Sequence, residues 1–211
     1  MERRITALTA QKKNPDRINV FLDGEFAFGL YRITAAWLKV GDLLSEERIQ
    51  RIQEQDGLEV VYQRTLEFLS YRPRSEKEIR QRLAEKETPQ SVAETVLQRL
   101  RAAGLVSDEA FARTWTENRV TFRPRSRRML AVELRQKGIG QETIDQTLSE
   151  LPAEESLALE SARKHARRLE GLDWEAFRQK MAGHLGRKGF SYETVAEVTR
   201  QIWQELHDET T

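Results

Sequence analysis

A five-residue sequence, an aromatic residue followed by Arg-Pro-Arg-Ser, occurs twice in this chain at positions 51 residues apart. It covers residues 71–75 and then residues 122–126. A second step of 51 residues aligns Lys137-Gly138 with Lys188-Gly189. Self-similarity at a fixed period is typical of repeat architectures, in which each unit buries its apolar face against its neighbours. The spacing therefore predicts three consecutive units, of which the third lacks Arg-Pro-Arg-Ser.

Each unit has the pattern of three short helices, because apolar residues recur three or four positions apart. Helices of about 10–15 residues are too short to be stable alone in water, so they must pack together. The proline of the motif ends the first helix. Ser75 and Ser126 are predicted to cap the second helix, as Asp173 does in the third unit. Lys137-Gly138 and Lys188-Gly189 are predicted to end it.

The first sixty residues differ, since polar and apolar residues alternate on both sides of Asp23-Gly24. Such alternation around Asp-Gly predicts a β-hairpin. Residues 5–8 are predicted to add a third strand. Two short helices are predicted to follow, one over residues 34–39 and one from the cap residue Ser45 to Gln55, before Gly57.

The predicted fold is mainly α, with three tandem three-helix bundle repeats after a small N-terminal region that contains the β-hairpin. The predicted domains are residues 1–57, 58–107, 108–153 and 154–207. Charged residues make up 33% of the chain, above the ~25% of an average soluble domain. This excess indicates a large surface for the volume, and hence an elongated or modular shape.

Several functional classes are disfavoured by composition. The chain has no cysteine, which excludes disulfides, zinc-thiolate sites, iron–sulfur clusters and cysteine nucleophiles. No apolar run is long enough for a membrane helix, and no secretory signal follows Met1, so a cytoplasmic protein is expected. His165, His184 and His207 lack the spacing of metal ligands. We predict no metal, no cofactor and no catalytic residue, and therefore a protein that is not an enzyme.

The formal charge is +1, but the positive charge is concentrated in mid-chain. Between Arg119 and Lys137 there are seven basic residues and one acid, Glu133. Arginines at a helix N-terminus oppose the helix dipole, which indicates an anionic partner. Backbone N–H groups at that helix start, together with bidentate arginines, would bind phosphate or carboxylate. The alternative is a solvated charged face with internal partners such as Glu133 and Glu117.

The first unit has a weaker version of this cluster, in which Glu76 and Glu78 neutralise the arginines of the motif. The residues predicted to bind a partner or nucleic acid are Arg72, Arg74, Arg119, Arg123, Arg125, Arg127, Arg128, Arg135 and Lys137.

Aromatic residues adjoin these arginines. Tyr71 and Phe122 stand directly before the two Arg-Pro-Arg-Ser sequences. An aromatic ring at this position could stack on a nucleobase. The favoured interpretation is that both rings cap the apolar cores of their own bundles. Trp115, Trp174 and Trp203 are predicted to pack in cores or between units.

In order and spacing, residues 68–75, 104–112, 122–126 and 188–192 resemble the RecX family, and the resemblance covers residues 58–207. It implies three-helix repeats in a curved, elongated arrangement. It also implies a regulator that lies along the filament of the RecA recombinase on single-stranded DNA. Such proteins commonly inhibit filament growth, ATP hydrolysis, strand exchange and the co-protease activity that triggers the SOS response. The third unit departs from the repeat because it lacks the arginine motif.

Two alternatives stay open. A helix-turn-helix-like transcriptional regulator would use the basic helix at residues 127–137 to read DNA, and such regulators usually dimerise. No heptad-like dimer seam is present, so a monomer is expected. An enzyme is the other alternative, and no motif supports it.

Overall fold

The computed structural model of this chain describes residues 1–208, which form ten helices and four strands. Its internal contacts divide it into two compact units. The first unit contains residues 1–73 and 80–102, and the second contains residues 74–79 and the chain from 103 onward. The expected mainly helical fold with an N-terminal sheet and three three-helix repeats is confirmed. The domain limits given above remain a prediction.

The N-terminal sheet has four antiparallel strands in the order β3-β2-β1-β4. Its strands are β1 (Glu2–Ala10), β2 (Arg17–Leu22), β3 (Glu25–Tyr31) and β4 (Leu43–Ser45). The predicted hairpin joins β2 to β3, and Asp23 and Gly24 have φ of 51° and 91°, as this turn requires. The predicted third strand is β1. Strand β4, which has only three residues, was not predicted.

One face of the sheet packs with α1 (Arg32–Ala35) and α2 (Glu46–Ser70). The buried residues of this core are Ile5, Val20, Leu22, Leu30, Ala35, Leu38, Leu44, Ile49 and Ile52. The helix predicted over residues 34–39 is wrong in its limits, because α1 starts earlier and has four residues.

Helix α2 begins where predicted, since the hydroxyl of Ser45 accepts a hydrogen bond from Arg48 N at 3.3 Å. It does not end before Gly57 but continues to Ser70, so that prediction is wrong. The buried acids Asp56 and Glu59 anchor the helix on both sides of the glycine. Asp56 pairs with Arg17 and accepts from Tyr31 N, while Glu59 pairs with Arg99. These contacts offset the roughly 1 kcal/mol that glycine costs inside a helix.

The first repeat continues with α3 (Glu76–Glu85) and α4 (Gln90–Ala102). Ser75 caps α3 as predicted, since its hydroxyl accepts from Glu78 N at 3.3 Å. Helix α4 buries Val96, Leu97 and Leu100, whose spacing puts them on one helix face.

The second and third repeats each contain three helices. They are α5 (Asp108–Phe122), α6 (Arg127–Gln136), α7 (Gln141–Ser149), α8 (Glu154–Ala166), α9 (Trp174–Arg187) and α10 (Tyr192–Asp208). Each repeat has its own apolar core, in which Leu134 and Ile144 are central to the second and Phe177 and Met181 to the third. The structure confirms that Ser126 caps α6 and that Asp173 caps α9. Trp174 and Trp203 pack against the core of the third repeat, as predicted.

Candidate functional site

The repeated motif forms a joint between successive repeats. The hydroxyl of Ser75 donates to the carbonyl of Lys137 at 2.7 Å. Ser126 N donates to the carbonyl of Lys188 at 3.1 Å. At both places, therefore, the Arg-Pro-Arg-Ser sequence of one repeat contacts the Lys-Gly sequence of the next repeat. We call the contact at Ser75 the first joint and the contact at Ser126 the second joint; both lie in the second compact unit.

A glycine permits the close approach at each joint. Gly138 and Gly189 have φ of 86° and 89°, in the left-handed region that favours glycine. A Cβ on Gly138 would stand 2.6 Å from the Cβ of Lys77, and one on Gly189 would stand 2.6 Å from the hydroxyl of Ser126. Each glycine thus ends a helix and makes room for the neighbouring repeat.

The helix starts at the joints already have protein acceptors. Arg127 N donates to a carboxylate oxygen of Glu154 at 3.1 Å, and Glu76 N donates to Asp108 at 2.9 Å. Both acids are the first residue of the next repeat's first helix. Met129 N donates to the hydroxyl of Ser126. At residues 127 and 129, these N–H groups therefore bind acceptors of the chain itself, a carboxylate and a hydroxyl, instead of an anionic partner.

Glu133 is buried and binds three side chains of the second repeat. Its carboxylate accepts from Trp115 Nε1 at 2.8 Å and from Arg119 Nε at 2.7 Å. Its other oxygen lies 2.6 Å from Arg125 Nη1. The alternative of internal partners therefore holds for Arg119 and Arg125, and Arg119 also covers the ring of Trp115 at 4.3 Å. Trp115 packs in this core, as predicted.

Arg127 and Lys137 also hold internal contacts. The guanidinium of Arg127 donates to two carbonyls that precede α8, at 2.7 Å and 2.9 Å. Lys137 Nζ lies 2.7 Å from the carboxylate of Glu78 at the first joint. Arg135 is exposed and donates to Gln141. These contacts give Arg127 and Lys137 a structural role.

The other predicted residues are more accessible. Arg123 and Arg128 are exposed at the second joint, and Arg74 is half-buried at the first joint. Arg72, which belongs to the first compact unit, is also exposed. Tyr71 and Phe122 are 74% and 70% exposed. The interpretation that these rings cap their bundles is therefore wrong. Both rings are available for stacking beside an arginine.

Two lysines of the third repeat lie against the end of α5. Lys188 Nζ donates to the carbonyl of Pro124 at 3.0 Å, and Lys164 Nζ donates to the carbonyl of Thr121 at 2.6 Å. Burial lowers the pKa of Lys188, and the positive charges of Arg125, Lys164 and Arg123 lower it further. Arg123, Arg125, Lys164 and Lys188 thus lie together in one region, which we call the basic surface. Two of these cations have acidic partners, since Arg125 pairs with Glu133 and Lys164 lies 3.9 Å from the carboxylate of Glu160.

Neither lysine was among the predicted binding residues. Lys188 had a signal, because it occupies the position of Lys137 one repeat later. Lys164 had none, since it lies among alternating charges on α8 that are typical of a solvated helix face.

His165 and His184 stack with ring centroids 3.8 Å apart, although they are distant in sequence. Burial lowers the pKa of His184 to about 4, helped by the nearby His165, Lys188 and Arg187. Burial and neighbouring positive charge also lower the pKa of His165. Within residues 1–208, no three His, Cys, Asp or Glu side chains are grouped so that they could hold a metal ion. No helix in the same part of the chain has the length and apolarity to cross a bilayer.

Four family models match successive parts of the chain. The N-terminal domain model of regulatory protein RecX matches residues 3–45. The models of the first, second and third RecX three-helix domains match residues 62–100, 107–148 and 153–199.

Curated relatives match nearly the whole chain. "Regulatory protein RecX" of Bacillus velezensis is 35% identical, over 97% of this chain and 80% of the relative. The protein of the same name from Clostridium acetobutylicum is 30% identical, over 97% of this chain and 98% of the relative.

Solved structures agree with these matches. A crystal structure of regulatory protein RecX covers 94% of this chain and 99% of its own, with a TM-score of 0.74 and 31% identity. RecX from Lactobacillus salivarius, at 20% identity and a TM-score of 0.59, shares the fold. The sequence matches, the order of the four domains and the fold together show that this chain belongs to the RecX family of regulatory proteins.

Proposed function

We propose that this chain regulates the RecA recombinase in the cytoplasm as an inhibitor. It binds as a monomer along the RecA–single-stranded DNA filament and lowers the filament's ATPase, strand exchange and SOS co-protease activities. Membership of the RecX family supports the choice of partner, since the family resemblance implies RecA.

The observation that carries the DNA part of this proposal is the basic surface at the second joint. Four cationic side chains meet there, because Lys164 and Lys188 both reach the end of α5 beside Arg123 and Arg125. Burial is the main cause of the lowered pKa of Lys188, and repulsion by the other three cations adds to it. A phosphate backbone relieves such repulsion and releases counterions when it binds. Phe122, exposed beside Arg123, adds an aromatic ring that can stack on an unpaired base.

The repeats support binding at several points of one filament. Three linked repeats raise the effective concentration of each later contact once the first has formed. Among the nine predicted binding residues, Arg123 and Arg128 are the best placed for contact because both are exposed at the second joint. Arg119, Arg127 and Lys137 act indirectly, through the internal contacts described above.

The test is the ATPase rate of RecA on single-stranded DNA, measured against increasing concentrations of this protein. We expect inhibition that saturates, and an unchanged rate at saturation would contradict the proposal. The double variant Arg123→Glu, Arg128→Glu should inhibit at least about tenfold less potently, because reversal turns two attractive charges repulsive. Full potency of a folded double variant would remove the second joint from the interface.

Binding of the same protein to duplex DNA distinguishes the proposed function from the helix-turn-helix alternative. A transcriptional regulator would bind particular duplex sequences far more tightly than others. We expect duplex binding that is weak, indifferent to sequence and steeply dependent on salt.

A further inference from the structure

The third repeat has an open cavity of about 410 Å³ between α9 and α10. One stripe of α9 lines it with Trp174, Arg178, Ala182 and Gly186, at steps of four residues. The facing stripe of α10 and the residues just before it contribute Phe190, Tyr192, Val195, Ala196, Thr199 and Arg200. The volume is in the range of cavities that hold small organic groups.

Thr199 has an unusual environment. It is 2% exposed and lines the cavity, and its hydroxyl has no hydrogen-bond partner in the described part of the chain. Thr65, Thr95 and Thr116 are also helical, and each donates to the carbonyl four residues earlier. A buried hydroxyl without a partner costs about 1–3 kcal/mol. Such a cost is offset when a ligand brings a donor or acceptor to the hydroxyl.

The other lining residues restrict the chemistry of that ligand. Trp174 and Tyr192 provide aromatic rings, and Tyr192 is 88% exposed. Arg178 and Arg200 are both exposed cations, of which Arg178 is paired with Glu175 at 2.9 Å. Aromatic rings beside cations, over an apolar floor, are typical of sites that stack an unpaired base and neutralise its phosphate.

We infer that this cavity binds one unpaired nucleobase of single-stranded nucleic acid, with the adjoining phosphate against Arg200. An apolar side chain from a protein partner would fit the floor but would leave the Thr199 hydroxyl without a partner. A base edge carries nitrogen and oxygen atoms that can pair with it. The site deepens the proposed function, because it gives the repeat that lacks Arg-Pro-Arg-Ser its own contact with DNA.

Gly186 allows a test that leaves the fold intact. A Cβ added there would meet no atom within 4 Å, and the backbone is helical. Gly186 lines the cavity, so Gly186→Leu places a leucine side chain at the cavity wall without a clash. Leucine also has a higher helix propensity than glycine, so the substitution favours the helical conformation of α9. Gly57→Leu is the matched control, since Gly57 is also helical with open space around it. Gly57 lies in the first compact unit, whereas the cavity lies in the second.

The assay is the fluorescence anisotropy of a labelled deoxyadenylate oligomer, without RecA, next to an abasic oligomer of the same length. We expect wild type and Gly57→Leu to bind the deoxyadenylate more tightly than the abasic strand. Gly186→Leu should lose about tenfold in affinity for deoxyadenylate, since one stacked base contributes at least that factor, and should bind the abasic strand unchanged. Thr199→Val keeps the shape and removes the hydroxyl, so it should weaken only deoxyadenylate binding while the melting temperature holds or rises.

Equal affinity of wild type for the two strands, or unchanged deoxyadenylate binding by Gly186→Leu, would overturn the inference. If Gly186→Leu spares deoxyadenylate binding but weakens inhibition of RecA, the cavity takes a side chain of the protein partner instead. Because the oligomer assay contains no RecA, this inference and the proposed function fail independently.

Discussion

The two joints have equivalent positions but different electrostatics. At the first joint, Glu76 and Glu78 follow the motif, and Lys137 is neutralised by Glu78 at 2.7 Å. At the second joint, the positions 51 residues later hold Arg127 and Met129. Lys188, the counterpart of Lys137, instead donates to the carbonyl of Pro124. Burial lowers the pKa of Lys188, and the charges of Arg125, Lys164 and Arg123 lower it further.

This difference separates the structural part of the motif from its functional part. Serine, proline and glycine act in both joints, because they set the helix start and the close approach between repeats. The residues after the serine are free to change the charge of the joint. The first joint is internally balanced, and we propose that the second binds an anionic partner.

The largest expected effect is on the joint itself. Gly189→Ala should lower the free energy of unfolding by about 3 kcal/mol or more, because a side chain strains the left-handed backbone and overlaps Ser126. Gly104→Ala is the control, since Gly104 has φ of 67° but open space around it. Urea denaturation measures both. Equal losses in the two variants would show that the close approach contributes nothing.

The next effect is on the buried acid of the second repeat. Glu133→Gln should cost about 2–4 kcal/mol of unfolding free energy, because it leaves Arg119 and Arg125 without their counter-charge. Glu117→Gln, an exposed acid on α5, should change stability by less than about 0.5 kcal/mol. A thermal melt of both variants would refute the role of Glu133 if the two curves coincide.

A pair of equivalent arginines tests the electrostatic difference between the joints. Arg123→Glu should weaken binding to the RecA–single-stranded DNA filament about tenfold. It should also reduce the slope of log affinity against log salt concentration by about 1. Arg72→Glu, at the equivalent position 51 residues earlier in the sequence, should weaken binding about twofold or less, because Glu76 and Glu78 follow Arg72 closely in sequence. Filament binding at several salt concentrations measures both, and equal losses would mean that the charge of the joint does not direct the partner.

The smallest effect is a pH dependence of the third repeat, which holds all three histidines of the chain. The folded pKa of His184, about 4, lies below its ordinary value near 6.5, so the unfolded state binds protons more readily between these values. The stability that neutral His184 contributes is complete above pH 6.5 and is lost as the pH falls towards 4. His184→Gln should flatten the unfolding free energy between pH 6.5 and 4. An unchanged pH slope in a folded His184→Gln variant would contradict the assignment.

Local signals predicted most of the fold. Alternation around Asp23-Gly24 located the hairpin, and Ser126 and Asp173 marked helix starts, because turns and caps depend on neighbours in sequence. The end of α2 was missed because the contacts of Asp56 and Glu59 that carry the helix past Gly57 come from distant residues. The three-residue β4 was missed because its pairing partner is a strand forty residues earlier.

The candidate site was less predictable than the fold. Composition located the positive charge at residues 119–137 but could not separate arginines that hold the fold from those that face a partner. Arg119 and Arg125 contact the buried Glu133, whereas Arg123 is exposed. Phe122 was predicted to be covered, yet it is exposed at the end of α5.

The sequence by itself determined the three-helix repeats, their period, their caps and the family, because helix starts, turns and motif spacing are written in contiguous residues. Only the tertiary structure decided that the two recurring motifs contact each other, that Lys164 and Lys188 join Arg123 at the second joint, and that Thr199 lacks a partner beside a cavity. These properties arise between residues 40 or more positions apart or on facing helices, where packing distance determines charge balance and burial.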